Sequence, residues 1–327
     1  MKIFVVGGTG VLGRQTVPLL VKANHEIIAI YRDDEKKKLL QEMGAHPSRG
    51  DLFDQEEILG ATADADAILN LATAIPRKTK TSPKDWEATC KIRLEGTRNL
   101  IDCVLKRQMK LYVHPLVVFA YGHRNGNWVD EKVVPALPIP SSIRLPKKFK
   151  SISENPILSE NLVNQAIREK NLPAVILRFG WFYRHDAAST IDMFRGIRTG
   201  TYAIVGSGES YWNMLHVEDA AAAILKTIEN YHSNIGRVFN IVDDEPVKSG
   251  VLLKYVATLL GSKPPRKVPT AIAKFVIGRP ATAFVTNSAQ VKNDLAKTAL
   301  NWRPKFPTYK TGFKNEVEQW LKLDLPV

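Results

Sequence analysis

Short apolar runs alternate with stretches of helical periodicity through the first three quarters of the chain. Ile3 to Val6, Ile27 to Ile30, Ala67 to Leu71, Leu111 to Val113 continuing through Leu116 to Ala120, Ala174 to Phe179, and Val238 to Val242 have strand length and almost no polar interruption. Between them, Gly10 to Lys22, Trp86 to Lys106, Pro156 to Lys170 and Val217 to Glu229 carry apolar residues three and four apart, the period of a helix with one buried face. Strands that are apolar throughout are buried on both sides. Their alternation with helices predicts an α/β fold, a Rossmann-type doubly wound parallel sheet with a smaller, partly helical C-terminal portion. Pro18 removes a backbone donor within the first helix and predicts a kink there. Asn155 as a cap and Pro156 at the first helical position predict a late start for the third. Pro135, Pro138, Pro140 and Pro146 predict a long ordered loop between Val133 and Pro146. After about residue 245 the strand pattern fades. The expected division is a nucleotide-binding unit of residues 1–178 plus 214–243 and a substrate unit of residues 179–213 plus 244–327.

The first strand runs into Gly7, Gly8, Thr9, Gly10, Val11, Leu12 and Gly13, and a helix follows. Three glycines in that context have separate uses: a tight turn, close approach of backbone to a pyrophosphate, and close packing of helix on strand. The helix N-terminus then presents amide donors to the phosphate charge. This predicts a dinucleotide site. The second strand ends at Tyr31 and Arg32, where an acidic residue would hold an unphosphorylated ribose and an arginine suits a 2′-phosphate. NADP is the expected cofactor, with NAD the alternative because Asp33 and Asp34 follow directly.

Composition changes this picture little. The chain has 327 residues, 44% of them hydrophobic, enough for a sizeable core. No apolar run approaches the ~20 residues that cross a bilayer, so no membrane partner and a cytoplasmic location are expected. Cys90 and Cys103 have neither the spacing nor the histidine neighbours of a zinc site, and no metal is expected. The net charge of +13 is spread over short runs such as Lys36 to Lys38 and Lys147 to Lys150, which reads as solvated surface more readily than as a nucleic-acid groove.

GGTGVLG at Gly7 to Gly13, GDLFD at Gly50 to Asp54, NLATA at Asn70 to Ala74, LEGTRNLID at Leu94 to Asp102, and Tyr121-Gly122 recur in order. So do ILRFGWFY at Ile176 to Tyr183, MLHVEDAAAAIL at Met214 to Leu225, RVFNIVDDEPV at Arg237 to Val247, and LNWRP at Leu300 to Pro304. With these motifs the chain resembles the extended short-chain dehydrogenases/reductases, the group of nucleotide-sugar epimerases, dehydratases and related reductases. The resemblance implies NAD(P) binding, with Asp51 and Leu52 near the adenine and Leu71, Ala72 and Thr73 along the cofactor. It also places Tyr183, Arg184, His185 and Trp212 on the substrate side and makes a homodimer the expected assembly.

That group's chemistry rests on a tyrosine, a lysine one helical turn later that lowers the phenol's pKa, a serine and an asparagine. Registered on Glu160, the tyrosine position holds Ile152 and the lysine position Pro156. The serine falls on Leu116 or Val117, and Arg93 replaces the asparagine. All four positions depart together. Tyr121 and His123, just after the strand that faces the nicotinamide in this fold, are the expected substitutes as proton donors. Arg93 is expected either to bind an anionic substrate or the cofactor, or to pair with Glu95 or Asp102. Lys148 and Lys150 are within reach of the cleft if the proline-rich loop carries them. The reading is an atypical NAD(P)H-dependent oxidoreductase reducing a small carbonyl-like substrate with a non-standard proton donor. A non-catalytic NADP sensor and an RNA-binding protein are the alternatives.

Overall fold

Strands β1 (Lys2–Val6), β2 (Glu26–Tyr31), β3 (His46–Arg49), β4 (Ala67–Asn70), β5 (Leu111–Val117), β6 (Ala174–Phe179) and β7 (Val238–Ile241) pair side by side, all parallel, in a computed structural model that describes residues 1–78, 80–136 and 143–323. Their order across the sheet is β7-β6-β5-β4-β1-β2-β3. This is the doubly wound sheet that the alternation predicts. The inner strands β4 and β6 are buried at every position, whereas the edge strand β3, His-Pro-Ser-Arg, has none that is buried. The chain reverses direction of winding between β1 and β4, which opens a crevice at the carboxyl ends of the strands.

Helices α1 (Gly13–Lys22), α2 (Asp34–Glu42), α3 (Gln55–Ala61), α4 (Thr97–Arg107), α5 (Lys147–Lys170) and α6 (Val217–Glu229) cover the sheet. Ile3, Val5, Leu69 and Val113 face α1, α2 and α6, while Phe4, Ile68, Tyr112 and Ile176 face α3, α4 and α5. Neighbouring residues of one strand thus serve opposite layers, as a period of two requires. A third apolar cluster, with Tyr183, Phe194, Trp212, Phe313 and Trp320, joins the helices Ala188–Arg198, Ser249–Leu259 and Tyr309–Lys322 beyond the sheet. Among the described residues no helix is long and apolar enough to cross a membrane.

Several boundaries differ from the sequence pattern. α1 begins at Gly13, because residues 7–12 form the turn itself. Pro18 is accommodated inside α1. β5 stops at Val117, and Val118–Tyr121 wind into a 3-10 turn. The largest correction is α5, which starts at Lys147 and carries Pro156 inside it. Asn155, Pro156, Ser159, Glu160 and Val163 are all buried, so packing of one continuous helix face against the sheet outweighs the backbone donor that Pro156 lacks. Lys148 and Lys150 therefore belong to the first turn of a helix and not to a loop. Pro138 and Pro140 lie outside the described residues. The predicted helix Trp86–Lys106 is observed as the turn Pro83–Trp86, a short helix Glu87–Lys91, a π-helical turn Ile92–Gly96, and α4.

Candidate nucleotide cleft

The glycine turn sits at the crevice, between β1 and α1. Gly7 has φ +82°, and a Cβ there would lie 2.6 Å from the Leu71 carbonyl and the Ala72 nitrogen. A Cβ on Gly13 would lie 2.5 Å from the Gly7 oxygen and 2.3 Å from that of Gly8. These two glycines let three backbone segments meet. Gly10 is different: it is exposed, and a Cβ there would meet only the Gly7 oxygen, at 3.3 Å. Its outward side is open to a ligand. The Gly10 amide donates to the Gly7 carbonyl at 3.0 Å and closes the turn. α1 has no acidic residue in its first turn and no side-chain cap, so neither a carboxylate of that turn nor a cap meets its leading amides. Thr9 and Val11 are half-buried, and Gly8 and Leu12 are buried beneath the turn. The arrangement fits a dinucleotide pyrophosphate.

Tyr31 ends β2, next to β1 in the sheet, and Arg32 follows it. Arg32 is exposed and makes no hydrogen bond or ion pair with a described residue. Asp33 is occupied, since its carboxylate caps α2 by accepting from the Lys36 amide at 3.0 Å and also pairs with the Lys36 ammonium. The turn after β3 is fixed by Asp51, whose Oδ1 accepts from the Phe53 amide at 3.0 Å. Asn99 donates to the Leu52 carbonyl at 3.0 Å, and Leu52 packs so tightly on Gly96 that a Cβ there would come within 2.7 Å of it. After β4, the Leu71 amide continues the sheet by donating to Val6, and Asn70 accepts from the Ala72 amide at 3.1 Å. Leu71 is buried, Ala72 half-buried and Thr73 exposed.

Beyond the cradle, polar groups give way. Ile152 and Pro156 occupy α5, and Leu116 and Val117 end β5. Tyr121 is wholly buried. Its hydroxyl donates to Asn240 Oδ1 at 2.9 Å and accepts from Arg178 Nη1, while Arg178 itself forms a buried bidentate pair with Glu160. Burial, partly offset by the Arg178 charge, pushes the phenol up to about 12. A group so placed is structural cement, which argues against the proton-donor role expected of it. His123 is half-buried, and its Nδ1 has no partner among the described residues. On the α4 and α5 side of β5, Asn70 donates to Tyr112, whose hydroxyl bonds His114 Nδ1 at 3.0 Å. His114 Nε2 is buried without a partner, and burial together with the Arg93 charge pulls the imidazole down to about 3. Arg93 stands in the π-helical turn and pairs with neither Glu95 nor Asp102; Glu95 faces Lys91 at 3.6 Å instead.

Of the residues the resemblance placed on the substrate side, three are engaged elsewhere. Tyr183 is buried, stacked on Phe313 at 4.3 Å, with its hydroxyl unpartnered. Arg184 pairs with Asp186 at 2.6 Å, and Asp186 also receives Arg14 of α1 at 3.3 Å. His185 Nδ1 bonds Glu316 at 2.7 Å, and His216 Nε2 holds the other oxygen at 2.9 Å. Trp212 is buried too, donating to the Val285 carbonyl at 3.0 Å, but one side meets Trp181 in a row of rings. That row, Phe119, Phe284, Trp181 and Trp212, escapes sequence reasoning because its members come from four separate segments.

The model of the NAD dependent epimerase/dehydratase family matches residues 3–242. The chain is 25% identical, over 97% of its own length and 100% of the relative's, to a 3-diazoavenalumate denitrifying reductase of a Streptomyces species. It is 23% identical to the 2-alkyl-3-oxoalkanoate reductase of Stenotrophomonas maltophilia, covering 80% of this chain and 76% of that one. In three dimensions it superposes on a human epimerase family protein solved with NADPH, with a TM-score of 0.76 at 20% identity, over 97% of this chain and 99% of the other.

Proposed function

Since the chain belongs to the NAD-dependent epimerase/dehydratase family, we propose that it binds NADP and acts as a reductase, passing hydride to a small unsaturated acceptor without a protein phenol as proton donor. The observation that carries this reading is the contrast between a glycine cradle that fits a pyrophosphate and a helix, α5, that offers Ile152 and Pro156 where a tyrosine and lysine would act. Arg32, without a hydrogen bond or ion pair among the described residues, and Asp33, committed to α2, support the 2′-phosphorylated cofactor. A nicotinamide bound there supplies the hydride. The residues of the chain would hold the cofactor, and the positions of the missing relay are apolar, Leu116 and Pro156 buried and Val117 and Ile152 half-buried.

Oxidising a sugar hydroxyl, the first step of epimerisation, requires a base for the hydroxyl proton. None of the four positions supplies one, and a guanidinium at Arg93 does not take up a proton. The reading therefore favours acceptors that leave no alkoxide for the enzyme to neutralise: a conjugated carbonyl reduced at carbon, or a nitrogen group displaced by hydride, with water giving any proton needed. The names of the two bacterial reductases among its relatives support reduction over epimerisation. Incubation with NADPH deuterated at C4 and a panel of enones, ketones and arenediazonium salts tests the proposal. Deuterium should enter the product above the enzyme-free rate, with a primary isotope effect. Tight NADPH binding with no oxidation across the panel would favour a sensor.

A further inference from the structure

Arg93 carries a charge that no described residue answers. Arg93 is half-buried in the π-helical turn Ile92–Gly96, an irregularity that recurs at functional positions because it turns side chains out of helical register. Its guanidinium makes no hydrogen bond or ion pair with any described residue. The groups in its field are Cys90 and His114. Neither compensates it: burial raises the Cys90 thiol and drives the His114 imidazole down, so both are neutral at physiological pH. His114 adds a buried nitrogen without a partner among the described residues. A half-desolvated cation in such company is stabilised by water or by an anion brought from outside.

A second observation concerns shape. Phe119 opens from the turn after β5 and lies 4.6 Å from Phe284, which is 4.8 Å from Trp181. Phe119 and Trp181 are half-buried, and Phe284 is 38% exposed, so ring surface is left uncovered. α5 packs against both the π-helical turn that carries Arg93 and the 3-10 turn that carries Phe119. The turn that carries the charge and the turn that carries the first ring thus pack on one helix, α5.

We propose that the substrate is a planar, ring-bearing anion whose carboxylate or equivalent oxyanion is held by Arg93 while its ring lies on Phe119, Trp181 and Phe284. This names the substrate class of the reductase proposed above and rests on that reading. Guanidinium and carboxylate meet through two parallel hydrogen bonds, which fix the orientation of a flat molecule as well as its charge. Aromatic faces add stacking that a saturated ring provides less well. An anionic group of the cofactor is the competing source for Arg93.

Calorimetric titration of the NADP-saturated protein with 4-hydroxycinnamate, benzoate and 2-naphthoate, their methyl esters, and cyclohexanecarboxylate separates these sources. The aromatic acids should bind about tenfold or more tightly than their esters, and than the saturated acid. Arg93→Gln should erase the difference between acid and ester while NADP affinity stays unchanged, which also shows the variant folded. Arg93→Lys should restore part of it. Phe284→Ala should weaken acid and ester alike. The proposal is overturned if no aromatic acid binds, if acid and ester bind equally to the parent protein, or if Arg93→Gln weakens NADP and spares the acids. Binding is read here without turnover, so a failure to oxidise NADPH would sink the reductase reading and leave this measurement standing.

Discussion

Arg32, just past the end of β2, is exposed and bonds to no described residue, and a 2′-phosphate would give it a partner. Arg32→Ala is expected to weaken NADPH binding about tenfold or more in a fluorescence titration, and NADH binding hardly at all. Equal affinity of the parent protein for the two cofactors would refute the preference. Tyr121 makes the opposite case, a residue with too many partners for chemistry. Tyr121→Phe leaves Arg178 and Asn240 short of a buried hydrogen bond, a loss of about 1–3 kcal/mol in denaturant unfolding. Its kcat should stay within about threefold of the parent value, whereas removing a true general acid costs about a hundredfold or more. Gly312 shows how tightly the C-terminal helix is seated. A Cβ there would fall 1.8 Å from the Tyr183 hydroxyl, so Gly312→Ala should lower stability by about 1–3 kcal/mol or more, measured by thermal melting.

At the scale of an element, α5 holds a proline in its interior. Pro156 has no amide hydrogen, so the Ile152 carbonyl lacks its ordinary helical donor, and both residues sit where the family's proton relay would be. Pro156→Ala should restore that bond and raise the melting temperature. An unchanged or lower value would mean that the proline ring's packing outweighs the missing donor.

The same helix marks the limit of what the sequence reveals. Gly7 to Gly13 are legible because strand, turn and helix arrive together, and six strands are legible as apolar runs. β3 is not, because an edge strand written His-Pro-Ser-Arg has no apolar period, and α2 hides behind Lys36 to Lys38, read as surface charge. Pro156 suits a helix start as well as it suits an interior, and the buried face of Asn155, Ser159 and Val163 decides for the interior. At the site, Tyr183, Arg184 and His185 look like cleft residues until their partners Phe313, Asp186 and Glu316 are known. Two of those partners lie more than a hundred residues away in the chain.

For the whole molecule, Glu316 ties distant parts of the chain together. Burial alone would raise its pKa, but hydrogen bonds from His216 and from the His185 backbone and ring outweigh it and hold the carboxyl down to about 2. The unfolded value is near 4.5. The carboxylate's contribution to stability is therefore complete above pH 4.5 and is lost as the pH falls from there through about 2. Glu316→Gln should lower the melting temperature at neutral pH and flatten its dependence on pH across that acidic interval. A parent-like slope there would show that other carboxylates govern acid unfolding.

Asp186 is shared by Arg184 and by Arg14, the second residue of α1. The segment leading into the C-terminal portion is thus latched to the very helix whose leading end would grip the phosphates.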